Sequence, residues 1–315
     1  MVWVREIEPG WYLVDLEFQR VPQVIASYVF VSRDGVTIVD TGPATTLATL
    51  LAALRELGVA DERVRNIVLT HIHLDHGGAA GHVLERFPCA RVYVHPVGAP
   101  HLVDPSRLWA SAARIYGERM EELWGEIRPC APDRLVVVGD GDTIELGGGR
   151  SLRALATPGH ASHHHAYLDT ATGALFAGDA AGIRIGGQRF VFPPTPPPDI
   201  DLGQWRRSID RLRRLAPARL YLGHFGPVDD PEWHLDDLLA RLFLWGGWIA
   251  AQLEFGQDPG AIAERLQELT EDEIGRIADG AAPLPAYRWA SGSFRMTVDG
   301  YVRYFRSHRP FASGV

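Results

Sequence analysis

Between residues 11 and 40 apolar and polar positions alternate, and β-branched side chains are frequent. The pattern is clearest in Val24-Ile25-Ala26-Ser27-Tyr28-Val29-Phe30-Val31 and in Val36-Thr37-Ile38-Val39, and it predicts two strands. Ser32-Arg33-Asp34-Gly35 between them reads as a hairpin turn ending in Asp-Gly. Asp40-Thr41-Gly42-Pro43 stops the second strand. The period then lengthens: Leu47, Leu50, Leu51, Leu54 and Leu57 share one face of an amphipathic helix over 45–57. Asn66-Ile67-Val68-Leu69-Thr70 is a short strand running straight into His71. A helix at 79–86, a strand at Arg91-Val92-Tyr93-Val94 and a helical stretch over 105–128, ending near Pro129, follow. Further strands are expected at Leu135–Val138, Ser151–Leu155, Ala166–Leu168, Ala174–Ala177 and Arg219–Leu222, with a helix at 201–215 before the last. Pro193-Pro194-Thr195-Pro196-Pro197-Pro198 can be neither helix nor strand and reads as a stiff extended loop.

After Pro231 the strand signal disappears. Leu235, Leu238, Leu239, Leu242, Trp245, Ile249 and Leu253 mark a long helix. Asp258-Pro259 is an N-cap followed by proline at the first helical position. Further helices are expected from there, at 271–279 and at 292–308. The pattern divides the chain into a mixed α/β sandwich over 1–230 and an all-helical C-terminal extension over 231–315. The extension is expected to cap a site or to form a dimer face, for which Trp233, Trp245 and Trp248 offer aromatic surface.

Composition narrows the functional classes. In 315 residues, 46% are hydrophobic, enough for a sizeable core without crosslinks. Cys89 and Cys130 form neither a disulfide framework nor a thiolate metal motif and read as reduced thiols. No basic-then-apolar leader opens the sequence and no apolar run is long enough to span a bilayer, so a soluble cytoplasmic protein with no membrane partner is expected. The net charge of −8 argues against nucleic acid. The one basic cluster, Arg206, Arg207, Arg211, Arg213 and Arg214, shares a helix with Trp205, Ile209, Leu212 and Leu215 and reads as its solvated face.

The chemistry is concentrated in His71-Ile72-His73-Leu74-Asp75-His76-Gly77-Gly78. In an extended segment, side chains two apart point the same way, so His71 and His73 can grip one cation together and Asp75 continues the alternation. His76 belongs to the turn beyond and, with Asp75, could serve a second cation. Four such groups within six residues have no ordinary structural explanation. Three more fit the pattern: His160, Asp179 and His224 each follow a glycine just past a strand, where one sheet edge would collect them. Of His163, His164 and His165, which alternate in direction, one could line the site mouth as a proton donor; the others read as surface or supporting polar groups.

The order H-x-H-x-D-H, then a distant His, Asp and His, resembles the metallo-β-lactamase superfamily, in the branch of hydroxyacylglutathione hydrolases and acyl-homoserine-lactone lactonases. The likeness covers about residues 10–230, and Asp40-Thr41-Gly42 is similar to the turn that precedes the motif in that family. It implies an αββα sandwich, here with a helical extension. It implies that His71, His73 and His160 hold one metal, that Asp75, His76 and His224 hold a second, and that Asp179 bridges them. Asp40 would buttress the histidine loop. Imidazole and carboxylate suit zinc first, with iron and manganese compatible.

A metal-bound hydroxide would then attack a carbonyl, oriented by Asp75 and Asp179 as the catalytic carboxylates. A small-molecule lactone, ester or thioester is the expected substrate, with Phe190, Val191, Phe192 and Phe225 as candidate apolar pocket residues. Three alternatives are a glutathione thioesterase, for which no basic cluster can be placed near the site, a one-iron persulfide dioxygenase, and a non-catalytic metal-binding module.

Overall fold

The computed structural model describes residues 3–277, 285–290 and 292–308. Among these residues two sheets stack face to face. The first keeps sequence order: β1 (Val4–Glu8), β2 (Trp11–Asp15), β3 (Ala26–Val31), β4 (Val36–Val39), β5 (Val64–Val68), β6 (Arg91–Val94) and β7 (Leu135–Val137). Its first four strands meander antiparallel, whereas β4 to β7 run parallel. Parallel neighbours need a crossover. The crossovers are α1 (Leu47–Glu56), then α2 (Leu74–Gly77) with α3 (Ala80–Arg86), then α4 (Ala99–Val103), α5 (Ser106–Tyr116) and α6 (Met120–Trp124).

The second sheet contains β8 (Thr143–Gly147), β9 (Arg150–Ala156), β10 (His165–Asp169), β11 (Ala174–Phe176), β12 (Arg219–Leu222) and β13 (Gly226–Val228), in the order β13-β12-β11-β10-β9-β8. Only β11 and β12 pair in parallel, across α7 (Leu202–Leu215). The result is the αββα sandwich. Its two sheets are joined by aromatic packing and by buried polar ties. Trp11 packs on Phe176 at 4.4 Å, and Tyr28 on Tyr221 at 5.3 Å. Tyr28 Oη donates to the Leu222 carbonyl at 2.7 Å, and Trp11 Nε1 donates to Asp169 at 3.0 Å.

Several local expectations are corrected. The helix expected over 105–128 breaks at Gly117 and Gly125, both at positive φ, so that α5 and α6 form two sides of a corner. The helix expected at 271–279 is the end of α9 (Pro259–Ile277), and residues 278 and 279 lie outside the described ones. The helix expected at 292–308 is α11 (Phe294–Ser307), capped by Ser293, and a short helix not anticipated, α10 (Pro285–Ala290), precedes it. Strands β1, β8 and β13 were not anticipated. Asp258 caps α9 as expected, accepting from the Gly260 amide at 2.7 Å. Both cysteines are free, Cys130 buried and Cys89 exposed. The arginines of α7 mostly face outward, and no described helix is long and apolar enough to cross a membrane.

The helices after residue 230 share one continuous hydrophobic core with the sheets. The long helix α8 (Pro231–Glu254) buries Leu235, Leu238, Leu242, Trp245 and Ile249. Trp245 meets Phe192 and Phe294, while Trp233 lies under the guanidinium groups of Arg184 and Arg189. Tyr301 of α11 donates to the Leu242 carbonyl at 2.8 Å, and Tyr287 of α10 donates to that of Phe190 at 3.0 Å.

His234 ties α8 to the sandwich by donating from Nε2 to the Ala181 carbonyl at 2.7 Å. It is fully buried, and burial pushes it from 6.5 down to about 4. The folded state therefore binds fewer protons than the unfolded chain between these values, so stability falls as pH drops through that window. The His234 contribution to that loss is about 3 kcal/mol. His234→Gln, which keeps a donor for Ala181, should shed about one proton from the pH dependence of the unfolding free energy across this window. An unchanged slope in urea titrations at stepped pH would refute the assignment.

Candidate metal centre

All seven residues singled out from the sequence meet at one edge of the sandwich. His71 and His73 leave the end of β5 in an extended stretch, but the alternation stops there. Asp75 and His76 sit on the helical turn α2 and not on a continued strand, which turns both back over the end of β5. His160, Asp179 and His224 come from the ends of β9, β11 and β12. A Cβ on Gly223 would stand 2.4 Å from the His76 ring, so only glycine lets the β12 end approach the helical turn this closely.

The ligand atoms fall into neighbouring groups. His71 Nε2 lies 3.1 Å from His73 Nδ1, which lies 3.0 Å from His160 Nε2. On the other side, His76 Nε2 is 3.2 Å from Asp179 Oδ1, and His224 Nε2 is 3.3 Å from Asp75 Oδ2. Asp179 stands between them, with Oδ2 at 3.5 Å from His160 and Oδ1 at 3.6 Å from His224. The sets His71/His73/His160, His71/His76/Asp179 and Asp75/His76/His224 each bring one donor atom per residue within 4.8 Å of one another.

The outer nitrogens determine what the inner ones can do. His160 Nδ1 faces the Pro194 carbonyl at 2.9 Å, His224 Nδ1 the Val24 carbonyl at 2.6 Å, and His76 Nδ1 the Asp40 carboxylate at 2.9 Å. These partners only accept, so each Nδ1 carries the proton. The Thr70 hydroxyl donates to Asp40 at 2.8 Å and so accepts from His71 Nδ1 at 3.1 Å. Four Nε2 lone pairs therefore point inward, together with two carboxylates. Lone pairs this close repel unless positive charge lies between them. His76 Nε2 and Asp179 Oδ1 are buried and neither makes a well-formed hydrogen bond.

The electrostatics agree. Burial pushes His71 and His73 well below the ordinary histidine value, and His160 down as well. Burial acts the same way on His76 and His224, yet the Asp179 and Asp75 carboxylates together outweigh it and raise both. Burial would raise Asp75, but the imidazoles of His76 and His224 hold it at about 2. Asp179, likewise buried, is held well below the usual carboxylate range by His224 and His76. Ionised carboxylates beside imidazoles that burial keeps from charging on the His71, His73 and His160 side are the donor set a divalent cation fits.

Two supporting residues surround this set. Asp40, at positive φ, accepts from the Thr70 amide and hydroxyl, both at 2.8 Å, as well as from His76. His164 was expected at the surface or in a supporting role. It is fully buried, and its Nε2 accepts from the amides of Asp179 and Ala180 at 3.1 and 3.2 Å. Its Nδ1 then donates to Thr157 Oγ1 at 2.8 Å. His163 borders the cavity with its ring 5.2 Å from that of His73, and burial pushes it down to about 4, so it is neutral near pH 7 and no ready acid. His165 is buried beside His95.

The site opens into a cavity of about 790 Å³. Phe190, Val191 and Phe192, expected to line it, are instead fully buried in the core against α8 and α10. Phe225 packs against Trp3 and does not border the cavity either. Sequence reasoning also placed no basic cluster here, yet Arg107, Arg119 and Arg288 stand on the cavity wall. They are far apart in sequence, so no local pattern announces them.

A family model described as the metallo-beta-lactamase superfamily matches residues 20–224. A metallo-beta-lactamase fold-containing protein of Sulfurisphaera tokodaii is 29% identical over 225 residues, covering 70% of this chain and 80% of its own length. A hydroxyacylglutathione hydrolase of a Synechococcus strain is 30% identical over 208 residues, covering 65% of this chain and 66% of its own length. The crystal structure of a metallo-beta-lactamase family protein from Thermus thermophilus superposes with a TM-score of 0.71 at 25% identity, covering 96% of this chain and 95% of that one. That likeness takes in the helical extension as well as the sandwich. With its matched segment ending on His224 and its two sheets presenting His and Asp clusters suited to divalent cations, this chain belongs to the metallo-beta-lactamase superfamily.

Proposed function

We propose that the protein is a dinuclear metal-dependent hydrolase acting on a lactone, ester or thioester. One observation carries the reading: Asp179 turns one carboxylate oxygen toward the His160 side and the other toward His76 and His224. In this reading His71, His73 and His160 hold one cation, Asp75, His76 and His224 hold the other, and Asp179 spans them. Zinc suits the donors best, and iron or manganese would be accepted by the same atoms. Bound there, such a pair supplies Lewis acidity toward a carbonyl and brings the pKa of water to about 7. The chain itself fixes His71, His76, His160 and His224 by their outer nitrogens and keeps Asp75 and Asp179 ionised to orient the water. Neither cysteine borders the cavity, and burial pushes Cys130 up to about 12, so no thiolate nucleophile is at hand.

Metal analysis of the purified protein, paired with a panel of lactones, esters, thioesters and phosphodiesters with and without chelator, tests the proposal. About two divalent ions per chain and chelator-sensitive turnover of a carbonyl substrate are expected. A single iron would favour oxygen chemistry, and no metal-dependent turnover of any lactone, ester or thioester would end the hydrolase reading. A glutathione thioesterase is the second reading, favoured by the three cavity arginines and by the Synechococcus relative.

Asp40 gives a separate check. Asp40→Ala removes the acceptor that holds His76 Nδ1 and the Thr70 hydroxyl. Metal affinity, measured by competition with a chelating dye, should fall about 10–100-fold. Wild-type affinity in this variant would mean that Asp40 does not hold the ligand in place.

A further inference from the structure

The cavity reaches well beyond the space a reacting carbonyl needs, and much of its wall is aromatic. Phe18 stacks on Trp124 at 5.4 Å and meets the edge of Trp289 at 6.0 Å. Tyr116 meets Trp124 edge-on at 5.0 Å, and its hydroxyl touches the Met296 sulfur at 3.7 Å. Three remote parts of the chain meet here: the segment after β2, the α5–α6 corner and the helices α10 and α11. Val97 and Ile115, left 47% and 37% exposed, border the same cavity. Large apolar side chains left open to water beside a polar centre are a surface that a ligand covers. The same cavity is bordered by His73, Asp75, His160 and Asp179, so an occupant of the aromatic wall is continuous with the metal centre. Arg107, Arg119 and Arg288 are exposed at its rim.

We infer that the aromatic wall seats the acyl group of the substrate, and that the substrate is an ester or thioester of a large apolar acid. The inference rests on the hydrolase reading above and narrows it. The exposed guanidinium groups, Arg119 laid over Trp289 and paired with Glu122 and Arg288 paired with Glu271, suit the polar or anionic leaving portion, which leaves the apolar faces of Phe18, Tyr116, Trp124, Trp289 and Met296 to the acyl chain. A short hydroxyacid would leave this wall wet. In hydrolysis the acyl–oxygen or acyl–sulfur bond is broken by water, giving the free acid and the alcohol or thiol, with no redox change. The free acid keeps the acyl chain, so a plain fatty acid is a direct probe of its seat.

Two measurements on the metal-loaded protein test this. Tryptophan fluorescence is titrated with acetate, hexanoate and decanoate, and kcat/KM is measured for acetyl, hexanoyl and decanoyl thioesters of coenzyme A and of glutathione. Affinity and kcat/KM should both rise with chain length, by up to about fourfold per methylene. Trp289→Ala, on a half-buried position, and Trp124→Ala should each lower the decanoyl-to-acetyl ratio of kcat/KM by about tenfold or more. The two carriers show which anion the rim prefers. Turnover that ignores acyl length, or that follows the size of the alcohol portion instead, would overturn the inference and leave the hydrolase reading standing. Binding that tightens with chain length without turnover of any thioester, or of the matching esters and lactones, would keep the acyl seat and remove the hydrolase reading.

Discussion

Replacing Asp179 with asparagine should lower kcat/KM on any carbonyl substrate by at least about a thousandfold, close to 4 kcal/mol of transition-state stabilisation. The substitution keeps the shape and removes one negative charge. That charge faces His76 at 3.2 Å, His160 at 3.5 Å and His224 at 3.6 Å, so it touches both halves of the centre. It also leads the forces that raise His76 and His224. With a neutral amide there, two cations in adjacent seats would repel without a shared anion. Metal content should therefore drop below two ions per chain alongside activity. Asparagine fills the same buried space, and circular dichroism checks that the folded state persists. Full turnover with full metal content in the variant would show that this residue does not join the two seats.

Gly159→Ala should cost about 2–6 kcal/mol or prevent folding. Gly159 has φ +143°, a conformation that side-chain-bearing residues rarely adopt, and its missing Cβ would stand 2.2 Å from Trp205 Cα and 2.4 Å from Trp205 N. Trp205 cannot yield: it is wholly buried on α7 and its indole donates to the Ala180 carbonyl at 2.9 Å. Pushing α7 outward would drag Ala180, and with it Asp179, while displacing His160 next door. Urea denaturation measures the cost. Gly247→Ala is the control, since Gly247 is exposed on α8 with no atom within 4 Å of the added carbon. Helix propensity there predicts a variant as stable as wild type or up to about 1 kcal/mol better. Equal effects at both positions would contradict the packing argument.

The sandwich was legible because its central strands carry strong β-branched runs and its crossovers carry leucine stripes. The strands that escaped are of another kind. Val4–Glu8 is half charged at a sheet edge, Thr143–Gly147 is another edge strand, and Gly226–Val228 is three residues long with a proline. Such strands are defined by the neighbour they pair with, not by their own pattern. The seven ligand candidates were legible because each follows a strand end, and the crowding of four in one motif has no other use. His164 was read as a surface or supporting group, and the choice between the two was illegible because its partners, the amides of Asp179 and Ala180, come from a strand end that only the folded sheet brings near. The cavity wall was illegible for the same reason. Phe18, Trp124 and Trp289 are unremarkable apolar positions until three segments converge.

The seven candidate ligands span positions 71 to 224 and come together only when both sheets have closed. An unfolded chain could offer a cation little more than the short 71–76 stretch. Almost all of the affinity for metal would then count toward the native state by mass action. At free metal a thousandfold above its dissociation constant, each ion would add about 4 kcal/mol to the unfolding free energy. The melting temperature of this protein would thereby become a gauge of the free metal around it.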